Sequence, residues 1–164
     1  MNRPIPHTIT HTITDMANAK IDSVGQTDLP VIADLYNQMF RPQHDVEFFS
    51  RRLLGRYQPL LLIASLDNVP VGFYTGFELK PGTFFSWLYG VLPEYRRIGI
   101  ASQLMDASHA WATERNYETM RYECYNQHRA MLHLAIAKEY DIVGIRWDSD
   151  RGNNLVIFEK SLTS

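Results

Sequence analysis

The sequence predicts a mixed α/β (α+β) domain in which helices cover both faces of a central β-sheet. Apolar residues recur at helical spacing over residues 29–57 and again after residue 99. Between them, residues 59–92 form three extended runs separated by turn residues. A further extended run at 120–125 follows a helical segment, as in a parallel crossover. The predicted order is therefore β-α-α-β-β-β-α-β-α-β-β.

The composition favours a single folded domain and argues against nucleic-acid binding. The 164 residues are 45% hydrophobic, and the net charge of −2 has the wrong sign for a phosphate-backbone binder. No apolar run approaches the roughly 20 residues of a membrane-spanning helix. Residues 1–20 lack the basic start and apolar core of a signal peptide, and Cys124 is the only cysteine. We therefore expect a cytoplasmic protein without membrane or nucleic-acid partners.

Residues 1–20 are predicted to form a flexible tail or edge extension ahead of a domain over 21–164. They contain His-Thr-Ile-Thr twice, at 7–10 and 11–14, in a polar context. A repeat of four residues is too short for a solenoid unit. His7 and His11 are the only metal-binding candidates in the tail, and nothing supplies further ligands, so we expect no metal.

The first half of the domain begins with a short strand over 21–24. A helix follows over 29–40, where Pro30 suits the first turn and Pro42 ends the segment. A second helix is predicted over 46–57, and its expected buried side comprises Phe48, Phe49, Leu53 and Leu54.

The middle of the chain predicts a meander of three antiparallel strands, at 59–66, 69–79 and 83–92. Asp67-Asn68 and Lys80-Pro81-Gly82 supply the turns between them.

The last part of the chain returns to helical spacing. A helix is predicted over 99–115, a strand over 120–125 and a further helix over 130–138. A final hairpin joins strands at 142–147 and 155–162 through a polar turn.

The junction from Val91 to Ala101 carries the most specific chemical signal. Pro93 stops the strand, and the following helix start presents free amides that attract an anion. Gly99 and Ala101 lack bulk, so a phosphate group can approach the backbone closely. The run is neither a Walker loop nor a Gly-x-Gly-x-x-Gly fingerprint. Read alone, it fits either a phosphate cradle or an ordinary surface loop.

The run Val-Leu-Pro-Glu-Tyr-Arg-Arg-Ile-Gly-Ile-Ala resembles the acetyl-CoA pyrophosphate motif of the GNAT superfamily of N-acetyltransferases. That motif reads roughly Val-x-Pro-x-Tyr-Arg/Gln-x-x-Gly-x-Gly/Ala, and the matching residues are Val91, Pro93, Tyr95, Arg96, Gly99 and Ala101. Asn126, just after the next strand, is a second match. The resemblance covers about 21–162 and implies a GNAT-like sheet whose two central parallel strands splay apart around the coenzyme.

The resemblance also implies which residues bind acetyl-CoA, the expected acyl-donor cosubstrate. Tyr89 and Val91 would offer strand-edge groups to the pantetheine arm, and an amide near Val91 would polarise the thioester carbonyl. Asn126 would hydrogen-bond the arm from the opposite strand. The pyrophosphate would be cradled by the run Arg96, Arg97, Ile98, Gly99, Ile100, Ala101 and Ser102.

The implied reaction is acetyl transfer to a primary amine of a small-molecule or peptide acceptor by direct attack on the thioester. An amine with a pKa near 10 must lose a proton, so a general base is expected. The family's usual tyrosine on the last helix is absent at 133–135, and aromatic residues and Ser86 replace its early-strand carboxylate at 84–87. The weak candidates that remain are Glu78, Glu123, Tyr125 and His133, although a solvated strand or helix-surface position accounts for them more simply.

The missing catalytic groups leave alternatives open. The chain could be a catalytically weak or inactive acyl-CoA-binding regulatory module, or an unrelated α+β interaction domain with a chance loop. The resemblance allows a homodimer and does not identify the acceptor. The loop at 37–45 is one expected acceptor contact, and a subset of the aromatic residues over 73–89 is another. Cys124 and His109 are expected to be structural.

Overall fold

The computed structural model describes residues 17–163, which form seven strands and four α-helices in the predicted order. The first half contains β1 (Lys20–Val24), α1 (Leu29–Met39), α2 (Val46–Leu53), β2 (Leu60–Leu66), β3 (Val69–Lys80) and β4 (Thr83–Val91). The second half contains α3 (Ile100–Glu114), β5 (Thr119–Tyr125), α4 (Arg129–Ala137), β6 (Asp141–Asp148) and β7 (Asn153–Ser161). Single 3₁₀ turns at Gln26–Asp28 and Pro93–Tyr95 precede α1 and α3.

All seven strands belong to one mixed sheet with the order β1-β2-β3-β4-β5-β7-β6. The meander of β2, β3 and β4 is antiparallel, as predicted. β4 and β5 are parallel neighbours, and α3 forms the crossover between them. The mixed α/β prediction is therefore confirmed, including the parallel pair at the centre.

Helices cover both faces of this sheet, and each face has its own apolar core. α3 and α4 pack on one face through residues such as Leu104 and Ala135. α1 and α2 pack on the other face, where Ile32 and Phe49 contact the side chain layer of β2, β3 and β4. Strand positions alternate between the two cores, so Phe73 and Tyr74 serve opposite faces.

The end of α2 differs from the prediction. The helix begins after Asp45, whose side chain accepts a hydrogen bond from the Phe48 amide at 3.0 Å, but it ends at Leu53. Gly55 then adopts a left-handed conformation with φ of 71°, which turns the chain away from the helix axis. Leu54 consequently points outward and is 78% exposed, although it was expected on the buried side.

The predicted tail boundary also shifts. Residues 1–16, including His7 and His11, lie outside the described residues. Lys20 already belongs to β1, and the backbone before it is hydrogen-bonded to residues at and just before the start of α3. The Ala17 amide donates to the Ile98 carbonyl at 3.1 Å, and the Ala19 amide donates to Gln103 Oε1 at 3.0 Å. These contacts place the chain entry beside the start of α3.

His109 has a structural role, as expected, and it shares this role with Tyr140. His109 Nε2 lies 2.6 Å from Tyr140 Oη, which links α3 to the start of β6. Burial lowers the pKa of His109 to about 4, with Lys160 adding to the effect. The imidazole is therefore neutral at pH 7 and forms part of the packing between the two elements.

A β-bulge interrupts the pairing of β3 with β4. Thr75 pairs with Leu88 whereas Gly76 pairs with Ser86, so Trp87 is the extra residue. The Thr75 hydroxyl donates to the Leu88 carbonyl at 2.9 Å and accepts from the Leu88 amide at 3.2 Å. The bulge turns both Trp87 and Leu88 toward α1 and α2.

We expect Gly76→Ala to destabilise the sheet beside this bulge. An added Cβ would lie 2.6 Å from Phe84 Cε1 and 2.8 Å from the Phe85 carbonyl oxygen. Overpacking of this kind costs about 1–3 kcal/mol, which urea denaturation would measure as a loss in the free energy of unfolding. Gly25→Ala is the control because its Cβ would meet nothing within 4 Å. Equal stability of the two variants would contradict the packing argument.

Among residues 17–163, no helix has both the length and the apolar surface needed to cross a membrane.

Candidate functional site

The site lies where the two central parallel strands separate. β4 and β5 are paired only from Thr83 and Thr119 to Ser86 and Tyr122. Beyond this point β4 continues to Val91 beside β3 and β5 continues beside β7, with no pairing between them. A cavity of about 930 Å³ occupies this gap and reaches from the start of α3 to α1 and α2. The predicted splay of the parallel pair is therefore present.

The edge of β4 that faces the gap has free backbone groups. The Leu92 amide donates to the Val71 carbonyl on β3 at 2.8 Å. Because backbone groups alternate sides along an antiparallel pair, those of Tyr89 and Val91 point away from β3 into the gap. Arg96 Nε donates to the Val91 carbonyl at 2.9 Å. The remaining groups form an edge that an extended ligand can pair with.

The start of α3 forms the mouth of the gap on the side of β4. Gly99 has a φ of 87° and Arg97 a φ of 66°, both left-handed, and they fold the chain sharply into the helix. The first amide to bond within the helix is that of Gln103, which donates to the Gly99 carbonyl at 3.1 Å. The three amides before it have no intrahelical acceptor. Together with the helix dipole, they make an anion site.

The predicted cradle residues divide into two groups around this helix start. Six of the seven line the cavity, namely Arg96, Arg97, Gly99, Ile100, Ala101 and Ser102. Ile98 does not, because it packs on the α3 core and its carbonyl accepts from Ala17. Asn126 also stays outside the lining, and its amide donates to the Asn154 carbonyl at 2.9 Å. Its neighbours Tyr125 and Gln127 line the cavity instead.

The cavity is strongly electropositive although the protein has a net charge of −2. Among the described residues, Glu123 is the single carboxylate of its lining. The arginines of the lining, none of which forms an ion pair within 17–163, are Arg41, Arg52, Arg96, Arg97, Arg129, Arg146 and Arg151. Arginines elsewhere, such as Arg51 and Arg121, are paired with glutamates. The unpaired charge is thus concentrated where a ligand would bind.

Glu123 is the predicted catalytic candidate that lines the cavity and, within the described part of the chain, keeps one carboxylate oxygen free. It lies on β5 with its side chain toward the α1 and α2 face, and the side chain is 25% exposed. Arg121 donates from Nε and Nη2 to Glu123 Oε1 at 3.2 and 3.1 Å. Within 17–163, Oε2 receives no hydrogen bond, so this oxygen is available to the cavity.

Tyr125 also lines the cavity, but its hydroxyl is engaged. Tyr125 Oη donates to Asp148 Oδ2 at 2.6 Å, and the guanidinium of Arg151 lies 5.0 Å from the ring centroid. Burial and this hydrogen bond raise the pKa of Tyr125. Tyr125 therefore stays protonated, and its hydroxyl supports the neighbouring Asp148.

The structure does not bring the other two candidates into the site. Glu78 pairs with Phe84 near the amino end of β4 and accepts a hydrogen bond from Tyr117 Oη at 3.3 Å, outside the lining. His133 is exposed on α4, whereas Leu134 lines the cavity. Helical rotation explains this, because adjacent helix residues point about 100° apart.

Two further side chains beneath the gap, Tyr89 and Cys124, are buried and remain protonated at pH 7. The Tyr89 hydroxyl is buried and has no hydrogen-bond partner among the described residues, and burial raises its pKa well above the usual value. Burial raises the pKa of the Cys124 thiol to about 11, so it is protonated at pH 7. Cys124 is thus a small buried residue, as expected, rather than a nucleophile.

Aromatic side chains form the wall of the cavity opposite α3. His44 and Phe48 stack with ring centroids 3.6 Å apart, and Phe48 lies 5.9 Å from Trp87. Tyr36 and Phe40 continue this wall along α1. Residues of the 37–45 loop and a subset of the β4 aromatics, which were expected as separate acceptor contacts, thus line the same cavity.

Several lining residues escaped the sequence-based prediction. His128 and Arg129 precede or begin α4, and Arg146 and Arg151 belong to the β6–β7 hairpin. Burial lowers the pKa of His128, and the charges of Arg151 and Arg96 lower it further, so these groups converge. Their segments are far apart in sequence and carry no recognisable motif. Only the pairing of β5 with β7 brings the hairpin to the gap.

The geometry defines a class: mixed α/β proteins with a ligand gap between two parallel strands and an anion site at its mouth. The model for the Acetyltransferase (GNAT) family matches residues 29–138, and the chain belongs to this family. A search of curated proteins finds no match.

Solved structures share the fold at low sequence identity. The ribosomal-protein-S18-alanine N-acetyltransferase from Escherichia coli has a TM-score of 0.79 at 16% identity, over 90% of this chain and 96% of that one. Ard1 from Thermoplasma volcanium has a TM-score of 0.77 at 16% identity, over 90% and 100%. YncA, a putative acetyltransferase from Salmonella typhimurium solved with its cofactor acetyl-CoA, has a TM-score of 0.72 at 16% identity, over 90% of this chain and 96% of that one. They show that the fold is that of GNAT acetyltransferases.

Proposed function

We propose that the protein transfers an acetyl group from acetyl-CoA to a primary amine. The observation that carries this proposal is the continuity of the open β4 edge with the free amides at the start of α3. An acyl carrier with an amide-rich arm and a pyrophosphate matches both features in that order. The Salmonella typhimurium neighbour, solved with acetyl-CoA, supports this donor.

Binding of the donor is assigned to the gap between β4 and β5. The backbone groups of Tyr89 and the amide of Val91 would pair with the pantetheine arm, and the amides of Ile100, Ala101 and Ser102 would hold the pyrophosphate. Arg96 and Arg97 and the ring nitrogens of His128 surround the same mouth. Asn126 can reach the arm only through its side chain, because its amide bonds to Asn154.

Glu123 is proposed as the general base. The acceptor arrives as an ammonium with a pKa near 10 and must lose a proton before its nitrogen attacks the thioester carbonyl. Oε2 of Glu123 would take that proton, while Arg121 holds Oε1. The new carbon–nitrogen bond forms and the carbon–sulfur bond breaks, and the second proton of the attacking nitrogen passes to the leaving sulfur, so coenzyme A departs as a thiol with a pKa near 8.5. A leaving group of this basicity needs no strong acid.

A second candidate function is a catalytically weak or inactive acyl-CoA-binding regulatory module. It is favoured by the α4 geometry, in which Leu134 lines the cavity and His133 is exposed. No acidic hydroxyl therefore reaches the gap from this helix. Donor binding without acetyl transfer to any amine would support this function.

Calorimetric titration with acetyl-CoA, followed by a thiol-release assay with an amine panel, tests the proposal. We expect micromolar binding of acetyl-CoA and much weaker binding of S-acetylpantetheine, which lacks the pyrophosphate. Equal affinity for the two would contradict the anion site at α3. Absence of acetyl-CoA binding by folded protein would overturn both candidate functions.

The remaining expectations extend this proposal. We propose a cytoplasmic enzyme, supported by the donor and by the single unpaired cysteine. A homodimer, the absence of a metal and the absence of nucleic-acid or membrane partners stay predictions.

A further inference from the structure

We propose that the acceptor amine also carries a carboxylate or an equivalent anionic group, which Arg146 and Arg151 of the β6–β7 hairpin bind. This inference rests on the proposed function, because it names the class of acceptor for that site. The acceptor class that fits is an amino acid with a free carboxylate.

Arg151 is fixed over the cavity by the hairpin and by Tyr125. Its backbone amide donates to Asp148 Oδ1 at 3.3 Å, and its guanidinium lies 5.0 Å from the centroid of the Tyr125 ring. Arg151 lines the cavity together with Tyr36 of α1 and His128, which precedes α4. Burial raises the pKa of Tyr36 and the charge of Arg151 partly offsets that rise, whereas burial lowers the pKa of His128 and the charge of Arg151 lowers it further. The guanidinium therefore lies between the helices at the open end of the gap.

Arg146 lies on the same face of the sheet as Tyr125. It pairs with Leu155 on β7, and Leu155 in turn pairs with Tyr125 on β5. Directly paired residues on neighbouring antiparallel strands place their side chains on the same face. Burial and the Asp148 hydrogen bond raise the pKa of Tyr125, and the charge of Arg146 partly offsets this rise, in agreement with this position.

The nearest carboxylate does not neutralise these two arginines by contact. Asp148 accepts from the Tyr125 hydroxyl on Oδ2 and from the Asp150 and Arg151 amides on Oδ1. Within residues 17–163, neither Arg146 nor Arg151 forms an ion pair with it. Both guanidinium groups keep their capacity to bind an external anion.

The donor leaves part of the positive charge of the cavity unmatched. Seven guanidinium groups and one carboxylate line it. A coenzyme A molecule brings roughly four negative charges, two on its pyrophosphate and up to two on its phosphate monoester. Arg96, Arg97 and Arg129 flank the helix starts near the proposed phosphate site. A neutral amine would leave the hairpin arginines without a counter-charge in direct contact, because Asp148 forms no ion pair with either of them.

β5 places the proposed base and the hairpin arginines on one face of the sheet. Glu123 and Tyr125 are two residues apart on that face, and the Arg151 guanidinium lies over the Tyr125 ring. An acceptor whose amine reaches Glu123 therefore has its other end beside these arginines. The aromatic wall formed by Phe48 and Trp87 then faces the side chain of the amino acid.

The test compares amino acids with their own carboxamides. Phenylalanine, leucine and β-alanine are each paired with the corresponding carboxamide, and kcat/KM for acetylation is measured by thiol release. We expect the acid of at least one pair to be preferred tenfold or more. The comparison is biased against this result, because the amine of a carboxamide is less basic and is more often deprotonated at pH 7.

Arginine variants connect the preference to the hairpin. Arg146→Gln and Arg151→Gln should each remove most of the preference by raising KM for the acid, with little change for the carboxamide or for acetyl-CoA. Arg115→Gln is the matched control, since Arg115 lies on Trp111 at the far end of α3, outside the cavity. It should keep the wild-type preference.

A second readout separates this inference from the proposed function. Each amino acid and carboxamide is titrated calorimetrically into protein saturated with coenzyme A. Preferential binding of acids that is lost in Arg151→Gln, without turnover of any amine, would uphold the anion site and overturn the transferase. Turnover or binding without any preference for acids, or a preference that both arginine variants retain, would overturn the inference alone. If no compound bound or reacted, the inference would be overturned.

Discussion

Gly99→Trp is expected to reduce acetyl-CoA affinity by at least about 100-fold, because it removes two or more charge-assisted hydrogen bonds worth about 1.5–3 kcal/mol each. Gly99 has a φ of 87°, a conformation that costs a side-chain-bearing residue about 1–2 kcal/mol. The indole would also occupy the space in front of the amides of Ile100 and Ala101, which line the cavity. Calorimetric titration with acetyl-CoA measures the loss directly.

The matched control for backbone strain is Gly55→Trp. Gly55 also has a left-handed φ, of 71°, and an added Cβ there meets nothing within 4 Å. It lies after α2 and outside the cavity lining. We expect this variant to lose some stability and to keep wild-type affinity. If Gly99→Trp bound acetyl-CoA as tightly as Gly55→Trp, the helix start would not be the pyrophosphate site.

Glu123→Gln is expected to lower kcat by about 100-fold or more, the usual contribution of a general base. Glutamine keeps the shape of the side chain and an acceptor oxygen for Arg121, so the local packing is preserved. It cannot take a proton from the acceptor ammonium. The affinity for acetyl-CoA should not change, since the donor is assigned to the opposite edge of the gap along β4.

Glu78→Gln provides the comparison for this variant. Both glutamates lie on central strands, but Glu78 contacts Tyr117 and is outside the cavity. Its substitution should leave kcat within about twofold, a change in activation free energy below about 0.5 kcal/mol. A kcat for Glu123→Gln close to that of Glu78→Gln would show that the proton leaves through another group.

Local sequence patterns were sufficient to predict the helices and strands, because each pattern follows directly from the periodicity of one element. Alternation and apolar runs placed β2, β3 and β4, and helical spacing placed α1, α3 and α4 to within one or two residues. The end of α2 was predicted four residues too late, because Leu54 continues the apolar pattern after the helix has ended. A left-handed glycine at 55 decided that end.

Local sequence patterns predicted the proposed donor side of the site, but only part of the proposed acceptor side. Val91 to Ala101 is a continuous segment in which the strand end, the glycine and the helix start are adjacent, so local chemistry determines the anion site. The acceptor side combines Tyr36, Trp87, Glu123 and Arg151 from four separate segments. Their proximity depends on strand register and on a bulge, which no local pattern specifies.

By itself, the sequence determined the element order, the parallel crossover and the helix start with free amides, because these depend on residues adjacent in the chain. The tertiary structure decided which of the four catalytic candidates line the cavity: the register of β5 placed Glu123 and Tyr125 there, and the rotation of α4 turned His133 out of it. It also decided the charge of the acceptor side. The β6–β7 hairpin pairs with β5, and this long-range pairing brings Arg146 and Arg151 to the open end of the gap.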